Sequence, residues 1–116
     1  MPKRKLDPLP AAAFQILLAL AGEDMHGYGI MRQVAEQTTG RLRLGPGTLY
    51  SSIQSLLEEK LIEEIGQRED ARLGDERRRY YRLSGAGLNL MRSEAERLAD
   101  LLRIARAKDI LRGDYV

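Results

Sequence analysis

The hydrophobic and polar residues of this chain repeat with two different periods, and the change of period divides the sequence into elements. Apolar residues that recur every three or four positions predict a helix, and apolar residues that alternate with polar ones predict a strand. The predicted elements are helices over 9–21, over 27–38 and from Pro46 onward, a short extended segment over 41–44, strands over 61–68 and 77–84, and a last helix over 84–111. Because a polar loop joins the two strands, they form a hairpin after the third helix.

The first predicted helix contains the longest apolar run of the chain, "AAAFQILLALAG" over 11–22. A helix without a polar face has to be enclosed, either by its own domain or by a partner chain. The run is too short to cross a bilayer. Pro8 and Pro10 separate it from the basic residues before them, and Glu23 follows it where a signal peptide has small residues. We therefore expect a protein of the cytoplasm without a membrane partner.

The third predicted helix has an apolar stripe on one side and an uncharged polar face on the other. The stripe consists of Leu49, Ile53, Leu56 and Leu57. The polar face consists of Thr48, Ser51, Gln54 and Ser55. Serine is a mediocre residue for a helix interior, whereas short neutral side chains allow a helix to lie close to base edges and phosphates. We interpret this face as a DNA-binding surface, with helix capping by Thr48 and solvated serines as the alternative.

Basic residues are concentrated in two clusters, although the net charge is only +2 and the pI about 9.1. The first cluster, Lys3–Lys5, belongs to a flexible arm predicted over 1–8. The second consists of Arg77, Arg78, Arg79 and Arg82. Strand alternation puts Arg78 and Arg82 on the face opposite Tyr81. We predict that this cluster holds the DNA backbone, where each neutralised phosphate adds about 0.9 to the salt slope; the alternative is a solvated strand edge that discourages aggregation.

The last predicted helix carries an apolar seam with the 3-4-3-4-3 spacing of a coiled coil. The seam consists of Leu88, Met91, Ala95, Leu98, Leu102 and Ala105. A helix of about 27 residues is roughly 40 Å long and overhangs a domain of this size. We therefore predict a homodimer, while the part near Leu88 and Met91 packs on its own domain. The predicted interface residues are Phe14, Leu17, Leu18, Met91, Ala95, Leu98, Leu102 and Ala105.

Enzyme chemistry finds no support in the sequence. The 116 residues form one domain without cysteine, so thiolate metal sites and disulfides are excluded. The stretch "GPGT" at 45–48 lacks the lysine and the spacing of a phosphate-binding loop. His26 is the only histidine, beside Asp24, and we interpret it as a helix-start residue and not as a metal ligand. We expect no metal and no cofactor.

Three sequence motifs in this order resemble the PadR family of bacterial transcriptional regulators. The motifs are "HGYGI" at 26–30, "GTLYSSIQSLLEEKLI" at 47–62 and "RRRYYRLSGAG" at 77–87. The chain departs from the usual family pattern in three places. Gln54 and Ser55 stand where a basic residue is common, and Lys60 stands where a glycine usually ends the helix. The last helix begins with Ser84, Gly85 and Ala86 in place of the more typical threonine, acidic residue and basic residue.

The resemblance implies a winged helix-turn-helix domain over 9–83 and a dimerisation helix with its tail over 84–116. It implies a homodimer that binds a pseudo-palindromic operator in double-stranded DNA, represses transcription in a bacterial cytoplasm and is released by a small hydrophobic effector. Tyr50, which borders the polar face, is a candidate phosphate contact, with packing against Tyr28 as the alternative. Tyr28 and Arg43 complete the candidate DNA-binding set. A protein-interaction module, a ligand-binding dimer with incidental DNA contact, and a MarR-type regulator stay open as alternatives.

Overall fold

The structure is a computed structural model that describes residues 9–69 and 77–112, with the backbone alone at 67–69 and 77–78. The predicted basic arm and most of the loop between the hairpin strands lie outside these residues. The elements are α1 (Ala11–Leu20), β1 (Met25–His26), α2 (Gly27–Gln37), α3 (Pro46–Glu58), β2 (Ile62–Glu69), β3 (Arg77–Leu83) and α4 (Gly85–Ala107). The predicted class, mainly helical with a small β-hairpin before a long last helix, is confirmed.

The strands form an antiparallel sheet in the order β1-β3-β2. The predicted hairpin is formed by β2 and β3, and its register sets Glu64 opposite Tyr81. Residues 65 and 66 of β2 together oppose Tyr80, which makes a β-bulge. Gly66 has a φ of +107°, a conformation that residues with a side chain rarely adopt. The bulge lies in β2 alone, so the alternation of side chains along β3 is uninterrupted.

The short strand β1 was not predicted, because two residues are too few to show an alternating pattern. It exists through pairing with β3, in which Met25 lies opposite Tyr81 and His26 opposite Tyr80. His26 then serves as the N-cap of α2, since its Nδ1 accepts a hydrogen bond from the Gly29 backbone N–H at 3.0 Å. The interpretation of His26 as a helix-start residue is confirmed.

The core lies between α1, α2, α3 and the inner face of the sheet. The predicted stripe of α3 is confirmed, because Leu49, Ile53 and Leu56 are at most 2% exposed. The α1 helix is enclosed by the same domain along most of its surface, and Leu18 is the large apolar residue that it leaves exposed. The fully buried large residues are Ile16, Leu17, Ile30, Val34, Leu49, Leu56, Leu61 and Ile62.

The last helix α4 packs on α1 only in its first half. Met91 and Glu94 are both 7% exposed there, and Glu94 is paired with Arg97 on the next turn. Further along α4, Leu101 and Ile104 are about half exposed. With 23 residues the helix is about 35 Å long, and its second half carries apolar side chains that its own domain does not cover.

Lys60 ends α3 in the conformation that usually favours glycine. Its φ is +60°, its backbone N–H donates to the Leu57 carbonyl at 3.0 Å, and the Leu61 N–H donates to the Leu56 carbonyl at 2.9 Å. This pair of bonds is a Schellman motif with Lys60 at the left-handed position. The departure from the family pattern therefore lies at a position where a Cβ atom is unfavourable.

Replacing Lys60 by glycine is expected to raise the free energy of unfolding by about 1 kcal/mol, because it removes that unfavourable Cβ contact. Chemical denaturation measures the change. Glu59→Gly is the matched control: residue 59 has a φ of −83°, so glycine there relieves nothing and should leave stability equal or lower. A loss of stability in Lys60→Gly would contradict the assigned conformation.

Candidate nucleic-acid interface

The uncharged face of α3 points away from the core, opposite the buried stripe. Thr48, Ser51 and Gln54 are exposed and Ser55 is half-buried. The Gln54 amide donates to the Glu58 carboxylate at 3.3 Å. The helix begins after Gly45, which gives it no side-chain cap, and its first turn contains no acidic residue. No carboxylate within its own first turn therefore neutralises the positive end of the helix dipole.

Tyr50 leaves α3 at the edge of this face and lies across the start of α2. Its side chain is about half exposed. A Cβ atom added to Gly27 would lie 2.7 Å from the Tyr50 hydroxyl oxygen, so the phenol rests against that glycine. The close packing partner of Tyr50 on α2 is therefore Gly27, whereas the sequence had suggested Tyr28 as the alternative to a phosphate contact.

Tyr28 is placed on the outer side of the α2 start and is half exposed. Its ring lies 6.4 Å from the His26 ring, and the Arg32 guanidinium lies 6.0 Å from the ring centre. Arg43, in the segment before α3, turns back over Gly40. The described contacts of Tyr28 are thus with His26 and Arg32 at the start of α2, whereas Arg43 lies in the connection between α2 and α3.

One face of β3 is directed toward the helical core that includes α3, and this face carries Arg79. Tyr81 is 4% exposed on that face, and Arg79 follows two residues away on the same side. The Arg79 Nε lies 3.7 Å from the Glu64 Oε1. Burial raises the pKa of Tyr81 above its ordinary value, and the nearby charge of Glu64 and the proximity of Tyr50 add to this rise. These interactions bring Arg79, Glu64, Tyr81 and Tyr50 into one neighbourhood.

The opposite face of β3 carries Tyr80 and Arg82. The Arg82 Nη2 lies 3.3 Å from the Asp24 Oδ2, and the Tyr80 ring packs edge-on to the His26 ring at 5.2 Å. Arg82 therefore lies on the side of the sheet away from α3, where it joins β3 to the α1–β1 connection. The sequence predicted Arg82 on the face opposite Tyr81, and the structure confirms that placement.

The side chains of Arg77 and Arg78 lie outside the described residues, so their predicted contacts stay predictions. Their backbones pair with β2 at Glu69 and Arg68. Both residues belong to the end of the hairpin that lies farthest from the core.

The predicted interface residues are divided between the core and the surface. Leu17 and Met91 are at most 7% exposed and belong to the chain's own core. Phe14, Leu98 and Ala105 are half-buried, and Leu18, Ala95 and Leu102 are exposed. Leu101 and Ile104 lie outside the predicted seam, and they are 48% and 52% exposed. They follow Leu98 at successive spacings of three residues.

The part of the chain that the structure describes contains neither a group of metal ligands nor a membrane-spanning helix. Among residues 9–69 and 77–112, no three histidine, aspartate or glutamate side chains converge as metal ligands would. No helix within the same ranges combines the length and the apolar character that crossing a bilayer requires.

Comparison with protein families and known proteins gives a consistent result. The model of the transcriptional regulator PadR-like family matches residues 16–93. An uncharacterized 37.1 kDa protein in transposon TN4556 of Streptomyces fradiae is 34% identical over 90 residues. That match covers 78% of this chain and 24% of the relative, so the chain spans about a quarter of the relative's length.

Three solved structures are similar in fold. A PadR family transcription regulator from hypervirulent Clostridium difficile is 21% identical with a TM-score of 0.71, covering 84% of this chain and 97% of the other. A transcriptional regulator from Clostridium thermocellum is 23% identical with a TM-score of 0.67, covering 82% and 89%. Bacillus subtilis PadR, solved in complex with operator DNA, is 17% identical with a TM-score of 0.62, covering 72% and 47%.

Proposed function

The chain belongs to the transcriptional regulator PadR-like family, and from this premise we propose that it is a homodimeric, sequence-specific DNA-binding repressor. The observation that carries the proposal is the uncharged face of α3, formed by Thr48, Ser51, Gln54 and Ser55. Hydroxyl and amide groups donate hydrogen bonds to base edges and phosphates, and accept them from base edges, without the bulk of a long side chain. This face is the part of the molecule suited to the major groove.

The groups around this face suit the sugar-phosphate backbone. Tyr50 offers a hydroxyl at the edge of α3, and Arg79 offers a guanidinium on the α3 side of β3. The pair between Arg79 and Glu64 joins two exposed side chains, and such pairs contribute little. Arg79 is therefore free to exchange the carboxylate for a phosphate. Arg77 and Arg78 remain proposed contacts farther out on the hairpin. Arg82 is left out because it lies at the inner end of the hairpin, opposite Glu63, where its guanidinium pairs with Asp24.

The second half of α4 supports the proposed homodimer. Leu101, Leu102 and Ile104 are 48%, 39% and 52% exposed, and Leu18 of α1 is 41% exposed. An isologous interface between two copies would cover these side chains with the same side chains of the partner. A two-fold axis would place two α3 helices about 34 Å apart, one turn of DNA, over a pseudo-palindromic site.

Repression would follow from occlusion, because a bound dimer covers promoter DNA in the cytoplasm. We further propose that a small hydrophobic effector binds at the interface made by α4 and changes the distance between the two α3 helices. Titration of a panel of small aromatic compounds into the protein–DNA complex tests this step. Unchanged affinity across the panel would leave a repressor that no effector releases.

The decisive experiment is footprinting on the DNA upstream of the gene itself, at a stated salt concentration, with an unrelated duplex of equal length as the control. A protected, two-fold symmetric region supports the proposal. Absence of protection on both duplexes at micromolar protein would overturn it and favour a winged-helix module that binds another protein.

Arg79→Ala is expected to weaken DNA binding and to lower the slope of log affinity against log salt by about 0.9 for each hairpin on the DNA, or about 1.8 for a dimer. The reason is that each phosphate contact releases condensed counterions from the DNA, so a variant that lacks the contact releases fewer of them on binding. Affinity measured by fluorescence anisotropy over a range of salt concentrations gives the slope.

Arg82→Ala is the matched control for Arg79→Ala, because it removes the same side chain from the other face of the same strand. We expect the salt slope of this variant to equal that of the wild type. Equal losses of slope in both variants would contradict the proposed orientation of the hairpin.

A further inference from the structure

The contact between Gly27 and Tyr50 is closer than a side chain at position 27 would allow. An ideal Cβ on Gly27 would lie 2.7 Å from the Tyr50 hydroxyl oxygen, 3.1 Å from Cζ and 3.3 Å from Cε1. Ordinary van der Waals contacts of a Cβ begin at 3.4 Å. The hydroxyl end of the ring therefore occupies the space that a methyl group at position 27 would need.

The backbone does not explain a glycine at this position. Gly27 is the first residue of α2, its φ is not in the left-handed region, and any residue adopts that conformation. Gly29, two residues later, has ordinary contacts: an added Cβ would lie 3.6 Å from the nearest atoms, which belong to His26 and Met25. What distinguishes Gly27 is thus that it has no side chain, which leaves room for the phenol of Tyr50.

The helices α2 and α3 on either side of this contact are held in place by buried core residues, whereas the hydroxyl end of the Tyr50 ring is not. Ile30 of α2 and Leu49 of α3 are fully buried, whereas Tyr50 is 52% exposed. A methyl group at position 27 would therefore be accommodated by rotation of the Tyr50 side chain and not by separation of the helices. Restoring an ordinary contact requires the hydroxyl oxygen to move by at least the difference between 2.7 and 3.4 Å.

We propose that Gly27 is a positioning residue for DNA binding: it holds the Tyr50 hydroxyl where that group donates a hydrogen bond to a phosphate oxygen. The inference rests on the proposed function. A hydrogen bond to a phosphate is short and directional, so a displacement of the donor by most of an ångström breaks it. The start of α2 and the face of α3 then act as one surface, since the glycine of one aligns the tyrosine of the other.

The variants that test this are Gly27→Ala, Tyr50→Phe, the double variant and the control Gly29→Ala. Their affinities are compared on a duplex enriched from a randomised library by the wild-type protein. Gly27→Ala and Tyr50→Phe should each weaken binding about tenfold for every Tyr50 that reaches the DNA, the size of a hydrogen bond to a charged group. The double variant should bind as Tyr50→Phe does, and Gly29→Ala as the wild type does.

Two further readouts separate positioning from a general loss of structure. The salt slope should stay unchanged in Gly27→Ala, because a neutral tyrosine releases no counterion, and the melting temperature should not fall. In the free wild-type protein, NMR should show contacts between the Tyr50 ring protons and the Gly27 Hα protons, which Gly27→Ala should weaken.

The outcomes distinguish this inference from the proposed function. A wild-type protein that enriches no duplex overturns the proposed function. A wild type that binds, with Gly27→Ala equal to it in affinity, overturns the positioning role. Additive losses in the double variant, or a loss in Gly29→Ala as large as that in Gly27→Ala, would also overturn it.

Discussion

Gly87→Ala is expected to lower the free energy of unfolding by about 3 kcal/mol or more, near the upper end for overpacked cores. An added Cβ would lie 2.0 Å from the Leu61 carbonyl oxygen, 3.0 Å from its carbonyl carbon and 2.9 Å from the Leu83 Cδ1. The closest of these atoms belongs to the backbone of a fully buried residue, so rotation of a side chain cannot relieve the contact. The helix α4 has to move away from the hairpin.

The junction around Gly87 explains why such a movement is unfavourable. The Leu61 carbonyl accepts a hydrogen bond from the Ser84 N–H at 3.1 Å. The Ser84 hydroxyl donates to the Lys60 carbonyl at 2.8 Å and accepts from the Gly87 N–H at 3.0 Å. Displacing α4 breaks bonds that join the end of α3, the end of β3 and the start of α4. Domains typically have a free energy of unfolding of roughly 5–15 kcal/mol in total. The loss expected for Gly87→Ala is therefore a large fraction of the stability of the domain.

Gly85→Ala is the matched control for Gly87→Ala. Nothing lies within 4 Å of an added Cβ at position 85, which is the first residue of the same helix. Alanine there should keep or slightly raise stability, because alanine is the better helix former. Chemical denaturation of both variants measures the difference, and equal stabilities would contradict the close packing of α4 on the hairpin.

The sequence predicted the elements whose residues repeat with a clear period. Leu49, Ile53 and Leu56 lie on one side of α3 because that side is buried, and burial is the cause of the period. The strand β1 was missed because its partner in the sheet, β3, lies more than fifty residues later and supplies the interaction that makes it extended. Pairing over that distance leaves no local pattern.

The residue types of the candidate site can be read from the sequence, whereas its geometry can be read only in part. Alternation separates Arg79 from Arg82, yet only the packing of Tyr81 shows which face of β3 is directed toward α3. The ion pair of Arg82 with Asp24 joins residues 58 positions apart and has no signal in the sequence. The proposed role of Gly27 was likewise hidden, because the space that this glycine leaves becomes visible only once α2 and α3 are packed together.

The apolar surface of α4 shows a related limit of periodicity. The heptad seam included Met91, which the domain buries as expected for the start of the helix, and it omitted Leu101 and Ile104, which are exposed. Along the first half of α4 the period reports packing on α1 within the same chain. Beyond that point the same face continues without α1, so the residues that a partner would cover are those past Leu98.

Leu102→Glu is expected to convert the proposed dimer into monomers and to weaken operator binding at least about a hundredfold, since a carboxylate enclosed in an apolar interface without a partner costs several kcal/mol. Leu102 is 39% exposed in the single chain, so the fold of the monomer should be retained. Sedimentation velocity at micromolar protein measures the oligomer, and anisotropy measures the affinity.

Asn89→Glu is the control for Leu102→Glu, because it adds the same charge to an exposed position of the same helix. At about 100° per residue the two positions lie about 140° apart around the helix axis, so a carboxylate at position 89 would face away from Leu102. This variant should remain a dimer with wild-type affinity. A Leu102→Glu protein that sediments as a dimer would show that the two copies associate through another surface, and the apolar side chains past Leu98 would then need a different partner.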